Sequence, residues 1–137
     1  MASPKEGQRR QVVTWQEFED ACNLLAASIS KTLCGPQYIV GSRHKRIVGV
    51  VRGGLIPAVI LSHWLEVPMA SGPHVGSDLI VVDDVCDTGE TFRRMRQAYP
   101  GAMLVAPYVK PAGRSVCDLS AVEVEQDVWL RFPWEVE

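Results

Sequence analysis

The order of apolar and polar segments in this sequence predicts an α/β fold with a largely parallel sheet flanked by helices. Two continuous apolar runs rich in β-branched residues, 47–51 and 79–82, are typical of strands that are buried on both faces. Each run is followed by a glycine-containing turn and then by a segment of helical character. Strands that alternate with helices are joined by crossovers, which makes neighbouring strands parallel.

Three segments have the pattern of helices. Thr14 and Glu17 form a capping box, and apolar residues recur behind them at helical spacing. Gly35 and Pro36 should end this first helix. The second segment carries Pro57 in its first turn, where proline is tolerated. The predicted helices are 15–31, 55–65 and 90–98.

The remaining segments complete the predicted order of elements. Further strands are expected at 38–40, at 102–109 and around Val122 and Val124. The polar residues 1–11 are expected to form a flexible tail, and 129–137 an aromatic, irregular end. No linker or repeat divides the chain, so 12–137 is predicted to be a single domain.

The composition excludes several functional classes. Of 137 residues, 47% are hydrophobic and 22% charged, which is typical of a globular domain. The net charge of −2 provides no general attraction to nucleic acid or to an anionic membrane. No apolar run approaches the roughly 20 residues that span a bilayer, and the first residues are too polar for a signal peptide. We therefore expect a soluble, cytoplasmic protein that binds small molecules.

The cysteines do not have the spacing of a metal site. Cys22, Cys34, Cys86 and Cys117 contain no Cys-x-x-Cys pair and lack nearby paired histidines. We expect them to be reduced thiols that mostly fill gaps in the core.

Polar, glycine-containing segments follow three of the predicted strands. Because ligands of open α/β sheets bind outside the carboxyl ends of the strands, these segments should meet at one edge. Together they provide cations, carboxylates and close-approach glycines. The segments are 52–54, 83–91 and 110–114.

The segment 83–91 has the properties of a site for a phosphorylated sugar. Residues 87–91 join a strand to a helix, and the N–H groups and dipole of a helix N-terminus favour an anion. Asp83 and Asp84 offer acceptors for ribose hydroxyls or for Mg²⁺. Alternatively, both acids merely cap a turn, but two adjacent acids after a buried strand are costly without a partner.

At this point the sequence resembles the type I phosphoribosyltransferases, which use phosphoribosyl pyrophosphate (PRPP). Residues 81–91 (Val-Val-Asp-Asp-Val-Cys-Asp-Thr-Gly-Glu-Thr) resemble the family's PRPP signature, and 52–57 resemble its pyrophosphate loop. Lys-Pro-Ala-Gly-Arg at 110–114, with 126–129 and 132–135, resembles the bacterial xanthine-guanine branch of the family.

The resemblance implies a fold and an activity. It implies a parallel sheet flanked by helices, with a small hood formed by the N- and C-terminal segments. The implied reaction transfers phosphoribosyl from PRPP to a 6-oxopurine (guanine, xanthine or hypoxanthine), giving a nucleoside monophosphate and pyrophosphate in purine salvage. It further implies Mg²⁺ as cofactor and a homodimer or homotetramer.

The resemblance also implies roles on the PRPP side of the site. Arg52 and the backbone of Gly53 would bind pyrophosphate. Asp83 and Asp84 would hold the ribose hydroxyls, partly through Mg²⁺. The 5′-phosphate would be bound in the segment formed by Thr88, Gly89, Glu90 and Thr91.

The base side is implied in the same way. Asp87 would act near purine N7 as general acid or base, and Lys110 would donate to the 6-oxygen. Trp129 would stack on the base, and the carbonyl of Leu130 would face its 2-substituent. Glu135 would assist the metal or the pyrophosphate.

Two departures from the family pattern keep other hypotheses open. Glu90 stands where the family usually has a small residue, and a long lid loop is reduced to 69–77, which includes His74. The chain could therefore be a non-catalytic PRPP- or nucleotide-binding module with a regulatory role. Alternatively, a neighbouring subunit could supply the lid.

Overall fold

The computed structural model describes residues 4–33, 46–70 and 79–136. The elements found in these residues confirm the predicted alternation of strands and helices. The strands are β1 (Arg9–Val12), β2 (Arg46–Gly49), β3 (Leu79–Val82), β4 (Val85–Cys86), β5 (Met103–Val109), β6 (Leu119–Glu123) and β7 (Val128–Arg131). The helices are α1 (Trp15–Leu33), α2 (Leu55–Leu65), α3 (Glu90–Ala98) and the short 3-10 turn Pro111–Gly113.

The main sheet is parallel throughout. β2 pairs with β3, β3 with β5, and β5 with β6. β4 continues β3 along the same edge of β5, since Val82 lies opposite Val105 and Val85 lies opposite Tyr108. The predicted fold class, a largely parallel sheet flanked by helices, is confirmed.

Both faces of this sheet are covered, which explains the continuous apolar runs. Ile80 and Val82 pack in one cluster with residues of α1 and α2. Leu79 and Val81 point to the opposite face, where they join Phe92 of α3. Successive residues of a strand alternate between faces, so a strand covered on both sides needs an apolar residue at every position.

A second sheet pairs β1 with β7 in parallel, and we call this two-stranded unit the hood. An aromatic cluster joins it to the main sheet. Phe132 stacks on Trp134 with ring centroids 4.8 Å apart, and it meets Phe18 of α1 and Tyr108 of β5 edge to face. The hood is therefore fixed to both α1 and the centre of the sheet.

The hood corrects two expectations. Residues 9–11 were predicted to lie in a flexible tail, but they belong to β1. The segment 129–137 was predicted to be irregular, but it begins within β7. The N–H of Arg9 donates to the carbonyl of Asp127, just before β7 at the other end of the chain, and local propensity does not reveal such a partner.

Smaller differences concern element ends. β2 covers Arg46–Gly49 instead of 47–51, because the chain turns toward the site after Val50. The strand around Val122 is β6, and Val124 follows it. The predicted strand 38–40, the break at Gly35-Pro36 and most of the loop 69–77 lie outside the described residues.

Cys22 and Cys86 are buried free thiols, as predicted, and the free thiol of Cys117 is partly buried. Cys34 is outside the described residues. No helix in the described part of the chain has the length and apolar character needed to cross a membrane.

Candidate active site

The segments that follow β2, β3, β4 and β5 meet at the carboxyl edge of the parallel sheet. They border two adjoining cavities. The larger, of about 680 Å³, is lined by Arg52, Asp84, Trp129 and Glu135, among others. The smaller, of about 110 Å³, shares Asp84, Trp129 and Glu135 with the larger and adds Lys110, so we call it the Lys110 cavity. The structure thus brings together segments that are far apart in the sequence.

The turn after β2 brings backbone close to the acidic residues. The N–H of Gly54 donates to the carbonyl of Val50 over 2.8 Å, which closes the turn. A Cβ at Gly54 would lie 2.3 Å from the carbonyl oxygen of Val82, so only glycine fits. A Cβ at Gly53 would lie 2.1 Å from Oδ2 of Asp84. The side chain of Arg52 is exposed at the mouth of the larger cavity.

Asp83 and Asp84 lie in the gap between β3 and β4. The N–H of Asp83 still donates to the carbonyl of Val105, over 3.1 Å. The next bond of a parallel ladder would come from residue 107, which is proline and has no N–H. The ladder is therefore interrupted, and two backbone N–H groups in the gap donate to aspartate side chains instead. Oδ1 of Asp83 accepts from the N–H of Asp84 at 2.8 Å, and Oδ1 of Asp84 accepts from the N–H of Val85 at 2.7 Å.

The electrostatics of this acid pair favour a cation. Burial, and next the negative charge of Asp84, raise the pKa of Asp83 to about 8. Burial also raises the pKa of Asp84. In the described residues, no three acidic, histidine or cysteine side chains form a group that could hold a metal. Mg²⁺ commonly uses one or two carboxylates and completes its shell with phosphate and water, so the acid pair fits this ion.

The turn from β4 into α3 forms a second recess, which we call the phosphate cradle. Gly89 has φ +87°, a backbone conformation that favours glycine, and it directly precedes α3. The recess has a volume of about 80 Å³, and its lining includes Thr88, Glu90 and Thr91. The N–H of Glu90 is held by Oγ1 of Thr88 at 3.3 Å, and the Glu90 side chain is exposed. The N–H groups of the first helical turn lie where an anion would be stabilised.

Both carboxylate oxygens of Asp87 have partners. Lys110, at the end of β5, is only 2% exposed, and its Nζ donates to Oδ2 of Asp87 at 3.2 Å. Nε2 of Gln126 donates to Oδ1 at 2.6 Å. Gln126 was not predicted as a site residue, although it lies in the segment 126–129 that contributed to the family resemblance. The signal was present, but a glutamine in a loop does not by itself indicate chemistry.

The Lys110 cavity is closed on its other side by the hood. Trp129 is half-buried and lines it, as do Leu130 and Phe132. Carbonyls of Asp127 and Arg131 point toward β1, where they accept from Arg9 and Val13. Carbonyl directions alternate along a strand, so the carbonyl of Leu130 points away from β1 and remains available to a ligand.

Glu135 and Arg114 have less direct positions. Glu135 lines both cavities, while its Oε1 accepts from the N–H of Phe132 at 3.3 Å. Its role as a metal ligand stays a prediction. Arg114 forms an ion pair with Glu123 of β6. His74 is outside the described residues.

Comparison with known proteins identifies the fold. No protein-family model matches the chain. The structure is similar to that of a purine phosphoribosyltransferase from Pyrococcus horikoshii, with a TM-score of 0.73 and 26% identity, covering 93% of this chain and 95% of that one. It is also similar to the xanthine-guanine-hypoxanthine phosphoribosyltransferase of Helicobacter pylori (TM-score 0.65, 19% identity, 94% of each chain).

A third similar structure is that of a hypothetical protein from Neisseria gonorrhoeae with bound ppGpp. Its TM-score is 0.69 at 19% identity, covering 94% of this chain and 92% of that one. The chain therefore has the type I phosphoribosyltransferase fold. The family resemblance predicted from its motifs is confirmed by these structural neighbours.

Proposed function

We propose that this protein transfers phosphoribosyl from PRPP to a 6-oxopurine, releasing pyrophosphate and a nucleoside 5′-monophosphate, as a salvage enzyme. The observation that carries the proposal is the Asp87–Lys110 pair in a cavity that adjoins both the acid pair and the phosphate cradle. The similarity to the Pyrococcus horikoshii purine phosphoribosyltransferase supports it.

The PRPP side binds phosphates and a diol. The phosphate cradle, with Thr88 and Thr91, takes the 5′-phosphate through N–H and hydroxyl donors. The carboxylates of Asp83 and Asp84 accept from the ribose hydroxyls. Arg52 and the Gly53 backbone hold the pyrophosphate, whose negative charge grows as its bond to ribose C1 breaks. Glu90 is exposed, so its carboxylate can point away from the phosphate.

The base side selects an oxygen at purine position 6. A buried Lys110 ammonium has donors only, so it pairs with a 6-oxo group and opposes a 6-amino group. Mispairing of this kind discriminates by a factor of ~10⁴. The free carbonyl of Leu130 accepts from a 2-amino group, and Trp129 provides a stacking surface worth about 1–3 kcal/mol.

Asp87 has the position of a general acid or base. Its carboxylate borders the Lys110 cavity and the phosphate cradle, the places assigned to the base and to the sugar phosphate. The purine N7 placed beside it loses its proton to the carboxylate as N9 attacks ribose C1, and in the reverse reaction it takes that proton back. Positioned proton transfer typically contributes a factor of about 10²–10⁴.

Mg²⁺ would be held by Asp83 and Asp84, with Glu135 a further candidate. When bound, it would neutralise the pyrophosphate and order the ribose hydroxyls. The acid pair by itself is poorly stabilised in its ionised form, which is why a cation improves it.

The proposal is tested by pyrophosphate release from PRPP and Mg²⁺ with guanine, xanthine, hypoxanthine, adenine or no base. We expect release that requires a 6-oxopurine, and a loss of about 10²-fold or more in Asp87→Asn. Asp20→Asn is the matched control, because Asp20 is an exposed residue of α1 that lines none of these cavities. No release with any purine would overturn the proposal.

A second function is favoured by the neisserial structure with bound ppGpp. In this alternative the same fold is a non-catalytic nucleotide-binding module with a regulatory role. Calorimetry with PRPP, GMP and ppGpp separates the two functions. Tight nucleotide binding that Asp87→Asn leaves unchanged, in a protein without turnover, would establish the binding module in place of the enzyme.

A homodimer or homotetramer is also part of the proposal. Val51, Leu55 and Val59 are exposed apolar residues on and beside α2, next to the Arg52 turn. A second copy that covers them would lie close to the larger cavity and could supply the lid. Sedimentation velocity measures the state directly, and a monomer at assay concentration would contradict this part.

A further inference from the structure

Gln126 connects three parts of the site. Its Nε2 donates to Oδ1 of Asp87 at 2.6 Å, and its Oε1 accepts from the N–H of Ala112 at 2.8 Å. Ala112 lies in the 3-10 turn directly after Lys110. Gln126, in the loop just before β7, thus holds both the carboxylate of Asp87 and the 3-10 turn that follows the buried Lys110.

The orientation of this amide is determined by its two partners. A backbone N–H can only donate, so the amide atom facing Ala112 must be the oxygen. The NH₂ group then faces Oδ1 of Asp87, which accepts its hydrogen bond. The reversed amide would oppose a donor to a donor and an oxygen to a carboxylate, so it is excluded on both sides.

The loop that carries Gln126 is itself held on both flanks. The guanidinium of Arg9 contacts Glu125 at 2.5 Å and Asp127 at 3.0 Å, and the N–H of Arg9 donates to the carbonyl of Asp127. The N–H of Val128 donates back to the carbonyl of Glu125 at 3.1 Å. Gln126 therefore extends from a supported turn, and its direction toward Asp87 is set by the hood.

We propose that Gln126 is a positioning residue that holds Asp87 in the orientation needed for proton transfer at the purine. This inference rests on the proposed function. Lys110 is the other partner of Asp87, but the purine oxygen competes for its ammonium. Gln126 is the partner for which the base does not compete, so it keeps the carboxylate oriented while the purine is bound. A charged acceptor gains more from such a bond than a neutral one.

The first variant is Gln126→Met, which keeps the length of the side chain and removes both hydrogen bonds. We expect kcat to fall about tenfold, equivalent to about 1.4 kcal/mol, with the KM for PRPP unchanged. Gln126 is exposed, and circular dichroism and thermal unfolding will show that the variant is folded. A residue with a merely structural role would instead lower the melting temperature and leave kcat of the folded protein unchanged.

The second variant, Gln126→Glu, keeps the acceptor for Ala112 and replaces the donor to Asp87 with a carboxyl. Two carboxyls this close share a proton, so the variant donates to Asp87 only in acid. The charged groups that line the same cavities as Asp87, or lie beside its partners, are Lys110, Asp83, Asp84, Glu90, Asp127 and Glu135. All of these remain in both proteins. We therefore expect the ratio of variant to wild-type kcat to rise roughly tenfold from about pH 8.5 to about pH 6.

Gln16→Glu is the matched control. Nε2 of Gln16 donates to Oδ1 of Asp20 at 2.9 Å, the same chemistry on the exposed face of α1. Its pH profile should follow the wild type. Wild-type kcat in Gln126→Met, or a Gln126→Glu profile parallel to the wild type, overturns the inference alone. A wild-type protein without PRPP- and purine-dependent turnover overturns the proposed function and this inference with it.

Discussion

The two sides of the candidate site, the one proposed for PRPP (the PRPP side) and the one proposed for the purine (the base side), are assembled differently. The PRPP side consists mainly of one contiguous segment, 83–91, with the turn at 52–54, and its shape is set by backbone and glycine. The base side combines Asp87, Lys110 and Gln126 with hood residues, and side chains from separate segments form it. Substitution in a site whose shape is set by the backbone should lower the stability of the fold or the affinity for the ligand. Substitution in a site formed by side chains should first change its selectivity.

The largest effect is expected from Gly54→Ala. The new Cβ would lie 2.3 Å from the carbonyl oxygen of Val82 and 2.7 Å from the backbone of Val50, and neither can move without disturbing the sheet. We expect a loss of about 3 kcal/mol or more in the free energy of unfolding, measured by urea denaturation. Gly7→Ala is the control for a glycine with open space around its Cβ position, although its φ of +85° carries a conformational cost. Equal stability of Gly54→Ala and wild type would contradict the backbone-built description.

The next largest effect is a change of base selectivity in Lys110→Met. The buried ammonium is lost, but methionine nearly keeps the shape of the side chain, and the partly exposed Asp87 keeps its bond from Gln126, so the fold should survive. The preference for a 6-oxopurine over adenine should fall by about 10²-fold or more, because nothing then rejects the 6-amino group. The ratio of kcat/KM for guanine and adenine measures this. Retained selectivity would remove Lys110 from the recognition of the base.

Gly53→Ala tests the PRPP side without breaking the fold. Its Cβ would lie 2.1 Å from Oδ2 of Asp84, the end of a side chain that can rotate away. We expect a stable protein whose KM for PRPP rises about tenfold, equivalent to about 1.4 kcal/mol, because Asp84 is displaced. Isothermal titration with PRPP and Mg²⁺ gives the affinity directly. If stability falls as far as in Gly54→Ala, the two glycines do not have these separate roles.

The acid pair should make stability depend on pH in the metal-free protein. Burial and Asp84 raise the pKa of Asp83 to about 8, so between its ordinary value and about 8 the folded state binds more protons than the unfolded state. Stability is then highest in acid and falls as the pH rises through about 8. With a chelator present, the melting temperature should be higher at pH 6 than at pH 8.5. Asp83→Asn should reduce this difference, and an unchanged difference would refute the assignment.

The smallest effect is expected from Arg9→Ala. Its ion pairs with Glu125 and Asp127 are exposed, so stability should hardly change. Because Gln126, the residue proposed to position Asp87, lies between these two acids, kcat should fall about twofold while the KM for PRPP stays constant. Arg94→Ala, an exposed residue of α3, is the control. A rise in the KM for PRPP would show that the hood does not act on the base side alone.

Much of the fold was predictable because its strands are apolar on both faces. Leu55–Leu65, Leu79–Val82 and Glu90–Ala98 have the predicted bounds, since burial pattern and turn residues define them locally. β1 and β7 were not predictable in this way. Arg9–Val12 is exposed throughout and has no strand pattern, and only its pairing with Val128–Arg131 makes it a strand.

The sequence by itself determined the parallel sheet, the glycine turn into α3 and the placement of the acid pair at the end of β3, because these depend on contiguous residues and on the rule that parallel strands end at one edge. Only the tertiary structure decided which side chains meet across the base side. Pro107, which has no N–H to donate to the carbonyl of Asp83, explains the break in the ladder at the acid pair, and the segment before β7 brings Gln126 to Asp87 from 39 residues away. Such contacts depend on the register of strands and the packing of aromatic residues, which are properties of the folded chain and not of any local segment.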